Sequence, residues 1–319
     1  MDTANTANTE KKGINKNIII IIAAVAAVII AAVIAAVFMF GEKTYRVLKI
    51  YQVEGQASVV HNDGSEVTPY ENMLLQSGDQ ISLVEGTLII KADEDKYIYL
   101  ENNTTIILEA DGSAANSRTS IQLLQGAVIN QIDEPLSDKS VYELNTQNAT
   151  MSVRGTIYRV EVTVSANGEI VTDAQALEGE IETDLLNDDG TPANDKVKLI
   201  AGKWVQIYSD THFVYYVGDV KDIDVDTFSN QTYFYLNWIR ENSNKEMSVS
   251  DDAIDKGLTE DPGPFEITFV NDKKVFGTVM VEKGDTVGEP LLMPTEKGHW
   301  DFVFTTPIKE DTEINWVAE

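Results

Sequence analysis

Side chains that ionise, attack or ligate at workable spacing are scarce in this chain. It has no cysteine, which excludes disulfides, thiolate metal sites, a Cys nucleophile and a lipidated Cys anchor. Its three histidines, His61, His212 and His299, stand far apart, so neither a Ser-His-Asp triad nor a His-rich zinc site is expected. Acids number 52 against 24 Lys and Arg, so paired-carboxylate catalysis is compatible with composition, but no single pair stands out. Asp222, Asp224 and Asp226 form Asp-x-Asp-x-Asp, as at the start of a calcium loop. The glycine such a loop needs at its sixth position is Thr227, and the glutamate at its twelfth is Tyr233. A helix N-terminus is the better reading. The acidic stretch 188–195 (DDGTPAND) reads as a hairpin tip, with a weak cation site as the other reading. Trp204, Trp238, Trp300 and Trp316 would suit sugar stacking, but each stands in an apolar pattern that favours core packing. No cofactor and no metal are expected.

The formal net charge is −28. A surface that acidic repels nucleic acid and anionic lipid, and nucleic acid is not an expected partner. It suits cations and basic partners, and it aids solubility.

The elements that must position any site begin with Ile18–Phe40, a run of 23 residues without charge or polar side chain. At ~1.5 Å per residue, such a helix crosses a hydrocarbon core of about 30 Å. A signal peptide has a shorter apolar region and a small-residue cleavage site, where this chain has Phe38, Met39 and Phe40. The run is expected to be a retained single transmembrane helix. Lys11, Lys12 and Lys16 before it balance Lys43, Arg46 and Lys49 after it, so flanking charge does not set the topology. Long domains translocate largely regardless of charge, which favours tail 1–17 inside and the remainder outside. Ala23, Ala27, Ala31 and Ala35 recur every fourth residue and could form a helix-packing face for self-association. The run is rich in alanine, so that spacing also arises without such a role.

Beyond the run, period two dominates. Ala57 and Val59, Ile81 and Leu83, Leu88 and Ile90, Tyr97 and Tyr99, and Ile106 and Leu108 alternate along expected strands. Asp63-Gly64, Glu85-Gly86, Asp111-Gly112, Asn167-Gly168 and Asp189-Gly190 supply turns, because these residues tolerate positive φ. An all-β domain over 41–222 follows. Val225, Phe228, Thr232, Tyr235, Leu236 and Ile239 then fall at helical spacing. Asp224 and Asp226 stand at the start and Arg240 near the end. Ser248-Val-Ser-Asp251 reads as a capping box before a short helix stopping at Gly257. One or two covering helices over 223–257, a linker at 258–264 and a small β-module at 265–319 complete the expected architecture, which is mainly β.

Several motifs within Val53–Gly202 resemble the FecR domain. Its opening is similar to Val53-Glu-Gly-Gln-Ala-Ser-Val-Val60 and Leu75-Gln-Ser-Gly-Asp-Gln-Ile81. Its middle is similar to Tyr99-Leu-Glu-Asn-Asn-Thr-Thr-Ile106 and Ile121-Gln-Leu-Leu-Gln-Gly-Ala-Val128. The most specific part is Val153-Arg-Gly-Thr-Ile-Tyr-Arg-Val160, followed by Ala176-Leu-Glu-Gly-Glu-Ile181 and Ile200-Ala-Gly-Lys-Trp-Val205. The resemblance implies an exported, non-catalytic β-rich domain. The best-known members pass a signal across a membrane to a cytoplasmic anti-sigma segment, and the 17-residue tail here is too short to fold into one. Of the motif Val153, Arg154, Gly155 and Thr156, two readings stand. Arg154 is an exposed anion or partner contact, or the motif is structural, with Gly155 supplying an unusual backbone and Arg154 paired locally.

The C-terminal stretch resembles the Listeria–Bacteroides type repeat (the internalin B-repeat). Phe265-Glu-Ile-Thr-Phe, Val281-Glu-Lys-Gly-Asp-Thr-Val, Glu289-Pro290 and Phe304-Thr-Thr-Pro-Ile-Lys-Glu-Asp-Thr carry the likeness. Gly298-His-Trp-Asp-Phe302 is a shortened form of the family's Gly-Tyr-x-Phe-x-Gly-Trp segment. Such repeats are stalks or adhesion modules on bacterial surfaces. The expected function is that of a non-enzymatic, membrane-anchored protein whose extracellular β-domain binds a protein partner or an envelope polymer. The alternative is a transmembrane signal relay through a partner with an anti-sigma or similar cytoplasmic domain.

Overall fold

The computed structural model describes residues 46–113, 116–164, 169–187, 191–209, 215–260, 263–281, 283–304 and 306–318. The tail, the apolar run and the Ala23, Ala27, Ala31, Ala35 face lie outside these residues. Among the described residues no helix is long and apolar enough to cross a membrane.

Long strands that bend at glycines organise the first body. β1 (Leu48–Val60) pairs antiparallel with β3 (Asp79–Ala92), and the short β2 (Glu66–Val67) pairs with the end of β1. Gly55 and Gly86 meet in register at the centre of that pair. A Cβ on Gly55 would stand 2.2 Å from the Glu85 carbonyl oxygen, and one on Gly86 2.2 Å from that of Glu54, so only glycine lets the strands bend together there. Beyond this corner the halves of β3 have different neighbours. Residues 79–83 pair with β5 (Thr104–Ser113), and 88–92 with β4 (Lys96–Leu100). β6 (Asn116–Ile132) repeats the device at Gly126. Its first part pairs with β5 and β7 (Val141–Asn145), its second with β4 and β9 (Ile157–Val164).

The corners divide one hydrogen-bonded network into two facing layers. One layer holds the far ends of β3 and β6 with β4, β9, β10 (Ile170–Glu178) and β13 (Lys203–Ser209). The other holds β5, β7, β8 (Ala149–Val153), β11 (Glu180–Leu186) and β12 (Pro192–Ile200). β14 (Tyr215–Val217) and β15 (Lys221–Asp222) extend β13. Ile50, Leu88, Ile98, Val128 and Val160 from the first layer and Ile81, Ile106, Ile121, Leu144 and Ile181 from the second share one core.

The centre of the first layer is buried on both faces. Ile89, Tyr99, Ile129, Ile157 and Leu177 point outward, away from that core, and pack under two helices. In β4, Ile98 and Leu100 enter the core, while Tyr99 faces the helices and Tyr97 lies partly buried beside it. The helices are α1 (Asn230–Asn242) and α2 (Asp251–Thr259), named here in chain order. α1 begins later than the sequence suggested. Asp224 caps a separate 3-10 turn, Val225–Thr227, and the Ser229 hydroxyl caps α1 by accepting from the Thr232 amide at 3.0 Å. Nor is there a capping box at Ser248–Asp251. Ser250 is the cap of α2, accepting from the amide of Ala253, which cannot reciprocate. Gly257 does not stop α2; it lies inside the helix against the Tyr233 ring.

The stretch read as a linker continues α2 to Thr259, and Glu260 then pairs with Lys283 at 2.8 Å. The C-terminal module has strand order β17-β16-β19-β18: β16 (Phe265–Asn271), β17 (Lys274–Val281), β18 (Gly298–Trp300) and β19 (Thr312–Ala318). β16 and β19 run parallel. Phe265, Ile267, Phe269, Trp300, Ile308 and Ile314 form its own core. Lys309 reaches Asp224 at 3.4 Å, joining module and helical layer a second time.

Candidate functional site

The helix-facing side of the first layer carries a buried polar seam. In β9, Tyr158 and Val160 enter the core, so Arg159 and Glu161 must point outward beneath the helical layer. A buried guanidinium without partners would be costly. Arg159 instead donates Nε to Glu101 Oε1 at 2.8 Å, Nη2 to Glu101 Oε2 at 3.0 Å and Nη1 to Glu161 Oε2 at 2.8 Å. Burial opposes its charge, but the Glu101 and Glu161 carboxylates more than reverse that effect and hold it well above its ordinary value. The Thr232 hydroxyl of α1 donates to Glu101 Oε1 at 2.9 Å. The seam thus fastens the helical layer to the sheet.

Asp173 of β10 stands in register with Glu161 on one side and with Gln206 of β13 on the other. Burial first, then the Glu161 charge, pushes its carboxyl up to about 7; Gln206 and Arg159 act in the opposite direction. Its Oδ1 is buried without a hydrogen-bond partner. A carboxyl titrating near neutrality can move protons, but general acid–base catalysis also needs a reacting group within reach. Among the described residues no group of three or more His, Cys, Asp and Glu could hold a metal ion. A shallow hollow lies elsewhere, on the C-terminal module, lined by Pro264, Phe265, Glu266, Met280, Glu310 and Asp311.

Val153–Thr156 forms the passage from β8 in one layer to β9 in the other. Val153 is buried opposite Ile181. Arg154 is exposed and donates to Asp138 at 3.2 Å, an exposed pair of small energetic weight. Gly155 has φ +105, and a Cβ there would meet Pro135 Cα at 3.2 Å. Lys245 donates to the Gly155 carbonyl at 3.1 Å and to Glu178 at 2.9 Å. The Thr156 hydroxyl donates to the Glu180 carbonyl at 3.1 Å. The Glu178–Glu180 turn and the Ala201-Gly202 turn make neighbouring passages between layers, and the Ala201 amide donates to the Gly179 carbonyl at 3.0 Å. The ordered sequence motifs thus fall largely on corners of the fold.

The structure does not gather the other candidates. Asp222 pairs with Lys203, Asp224 with Lys309 and Asp226 with Lys256, three separate bases. β11 and β12 form a hairpin around 187–191, part of which lies outside the described residues. Trp300 and Trp316 pack in the module core, Trp238 packs against Tyr99 and Tyr97, and Lys221 covers the Trp204 ring. His61 Nδ1 lies 2.9 Å from the buried Asp79 carboxylate, His299 is in β18, and His212 is outside the described residues. The Arg159–Glu101 seam escaped sequence reasoning because its partners are 58 positions apart. Its one local trace is the Arg159 and Glu161 pair, which alternates with apolar residues along Ile157–Val164.

Residues 86–182 match the family model described as FecR protein. The matched stretch, less than half of the chain, contains Glu101, Arg159, Asp173 and the Val153–Thr156 passage, and it does not reach the C-terminal module. No curated protein matches the chain significantly. Two crystal structures of a provisionally assigned anti-sigma factor from Parabacteroides distasonis are similar. One has 10% identity and a TM-score of 0.38, over 75% of this chain and 99% of the other. The second has 11% identity and a TM-score of 0.37, over 65% of this chain and 85% of the other.

Proposed function

We propose that this chain is a non-enzymatic signalling regulator held in a membrane by Ile18–Phe40. Its FecR-type body would lie outside the cell and act through a partner carrying an anti-sigma or similar cytoplasmic domain. The observation that carries this reading is the FecR match over 86–182, which spans strands of both layers. In support, Arg159, Glu101 and Thr156 of that stretch are spent on holding the layers and helices together. Affinity capture of the tagged full-length chain from its host membrane tests it. Recovery of an anti-sigma or comparable regulatory protein, with altered transcription of its target genes when the chain is deleted, is expected. Capture of envelope polymer alone, with unchanged transcription, would reject the relay.

A second reading, binding at the cell surface, is favoured by one feature of the C-terminal module. Leu291, Leu292 and Met293 are three consecutive exposed apolar residues on the loop between β17 and β18, of the kind that marks contact sites. If the module is an adhesion unit related to the internalin B-repeat, charged replacements there should abolish envelope binding and leave transcription unchanged.

A further inference from the structure

One end of the helix-facing side is left uncovered by the described residues. Lys49 of β1 is bridged to Leu74, Lys49 is in register with Lys91 of β3, and Lys91 with Tyr97 of β4. Residues opposed across strands share a face, so these four form one row. The next row, Ile89–Tyr99–Ile129, is the one the helices bury. Trp238 of α1 marks the border, its ring 5.6 Å from Tyr97 and 5.8 Å from Tyr51. Outside that border Val47, Tyr51, Tyr70 and Leu74 are 42%, 39%, 65% and 68% exposed.

The same end is close to charge balance in a strongly acidic chain, with Arg46, Lys49, Lys91 and Lys96 beside Glu71, Asp93, Glu94 and Asp95. Lys49 donates to Asn72 at 3.2 Å and Lys91 lies 5.3 Å over the Tyr97 ring. Exposed Glu71 and Glu94 stand at its rim, and Glu94 pairs with Lys91 at 3.4 Å. Exposed aliphatics, tyrosines, a tryptophan and lysines with apolar stems are what the boundary between water and hydrocarbon selects. With a net charge of −28 over the whole chain, an end close to charge balance repels anionic lipid less than an average patch of this surface would.

The start of the described chain is fixed at this end. Arg46 donates Nε to Asp93 Oδ1 at 3.1 Å, Nη2 to Asp93 Oδ2 at 2.5 Å and Nη2 to the Thr119 hydroxyl at 2.8 Å. Only residues 41–45 separate Arg46 from Phe40. At full extension such a tether reaches about 20 Å.

We infer that the Leu74–Lys49–Lys91–Tyr97 row, with Val47, Tyr51 and Tyr70, rests on the lipid surface of the membrane that Ile18–Phe40 anchors. This inference rests on the anchored reading above. The lack of cysteine permits single labels. Leu74→Cys and, on the C-terminal module, Leu292→Cys would each carry an environment-sensitive fluorophore on the full chain. The chains are reconstituted in phosphatidylcholine bilayers, with and without phosphatidylglycerol, containing nitroxide-labelled lipid. Quenching at position 74 several-fold above that at 292, increased by phosphatidylglycerol and reduced by Lys49→Glu with Lys91→Glu, is expected. Equal quenching at both positions overturns the inference, including the case in which the surface instead receives a protein. Alkaline carbonate extraction reads the anchor separately. A carbonate-resistant chain with no excess quenching at 74 refutes the lipid contact alone, whereas release into the supernatant refutes the anchor and the lipid contact together.

Discussion

Arg159 and Asp173 show how burial gives two charged side chains opposite fates. Arg159 has carboxylates on both sides and stays charged. Replacing it with methionine leaves Glu101 buried against Thr232 without its cation. Arg159→Met should therefore cost about 3–5 kcal/mol in chemical denaturation, with part of the loss recovered in the double variant Arg159→Met, Glu101→Leu. A double variant no more stable than the single one would count against the seam as described. Asp173 has the reverse problem, a carboxylate facing Glu161. Its value rises from 3.8 to about 7, so between those limits the folded chain keeps a proton that the unfolded chain releases. That contribution to stability is complete below the lower limit and is lost as pH rises through the upper one. Asp173→Asn should remove this slope, and melting curves from pH 4 to pH 9 check it; a wild-type curve that climbs towards pH 7 without the substitution altering it would contradict the assignment. Neither role could be read locally. An arginine in a strand and an aspartate in a strand are ordinary until folding sets their neighbours.

At the scale of elements, Gly257 separates helix propensity from packing. Alanine is favoured over glycine inside a helix by about 1 kcal/mol. Here an added Cβ would stand 2.3 Å from Tyr233 Cδ2 and Cε2. Gly257→Ala should thus destabilise the chain by roughly 1–3 kcal/mol, the usual cost of overpacking. Ser250→Ala, which removes only the α2 cap, should cost about 1 kcal/mol. Thermal denaturation of both variants distinguishes packing from capping, and a stabilised Gly257→Ala would show that α2 does not pack on α1 as found. Strand positions were legible wherever one face meets the core: Ile81, Leu83, Ile106 and Leu108 all enter it. In β4 the strand was legible but its facing was not, because Ile98 and Tyr99 are both buried, on opposite faces, and period two carries no direction when both sides are apolar. The boundaries of α1 shifted for a similar reason. Asp224 and Ser229 are both good caps, and only the chain path decided which one opens the helix.

For the whole molecule, the junction between the helical layer and the C-terminal module combines ion pairs with close packing of Gly284 against the Thr227 carbonyl. Lys283–Glu260 and Lys309–Asp224 cross it, and Lys283 is also 6.0 Å over the Tyr233 ring. Salt at 1 M shortens the screening length to about 3 Å, which weakens the exposed Lys309 pair more than the buried Lys283 one. Limited proteolysis around 260–264 should therefore accelerate modestly in high salt and more strongly in Lys283→Ala; rates indifferent to both would mean that other contacts hold the module. By itself the amino-acid order determined a mainly β chain, a helical stretch before residue 260 and a likeness to the FecR domain, because alternation and short motifs are local properties; of the expected turns Asp63-Gly64 is one, whereas Glu85-Gly86 and Asp111-Gly112 lie inside β3 and β5 and the other two fall outside the described residues. The tertiary structure alone decided that the motif glycines stand at corners between layers and that Arg159, Glu101 and Thr232 form one seam. It also decided that one end of the sheet, with Lys49, Lys91 and exposed apolar side chains, is left uncovered by the described residues. Each of these depends on residues far apart in the chain meeting across strands, and neither composition nor spacing encodes which distant partners meet.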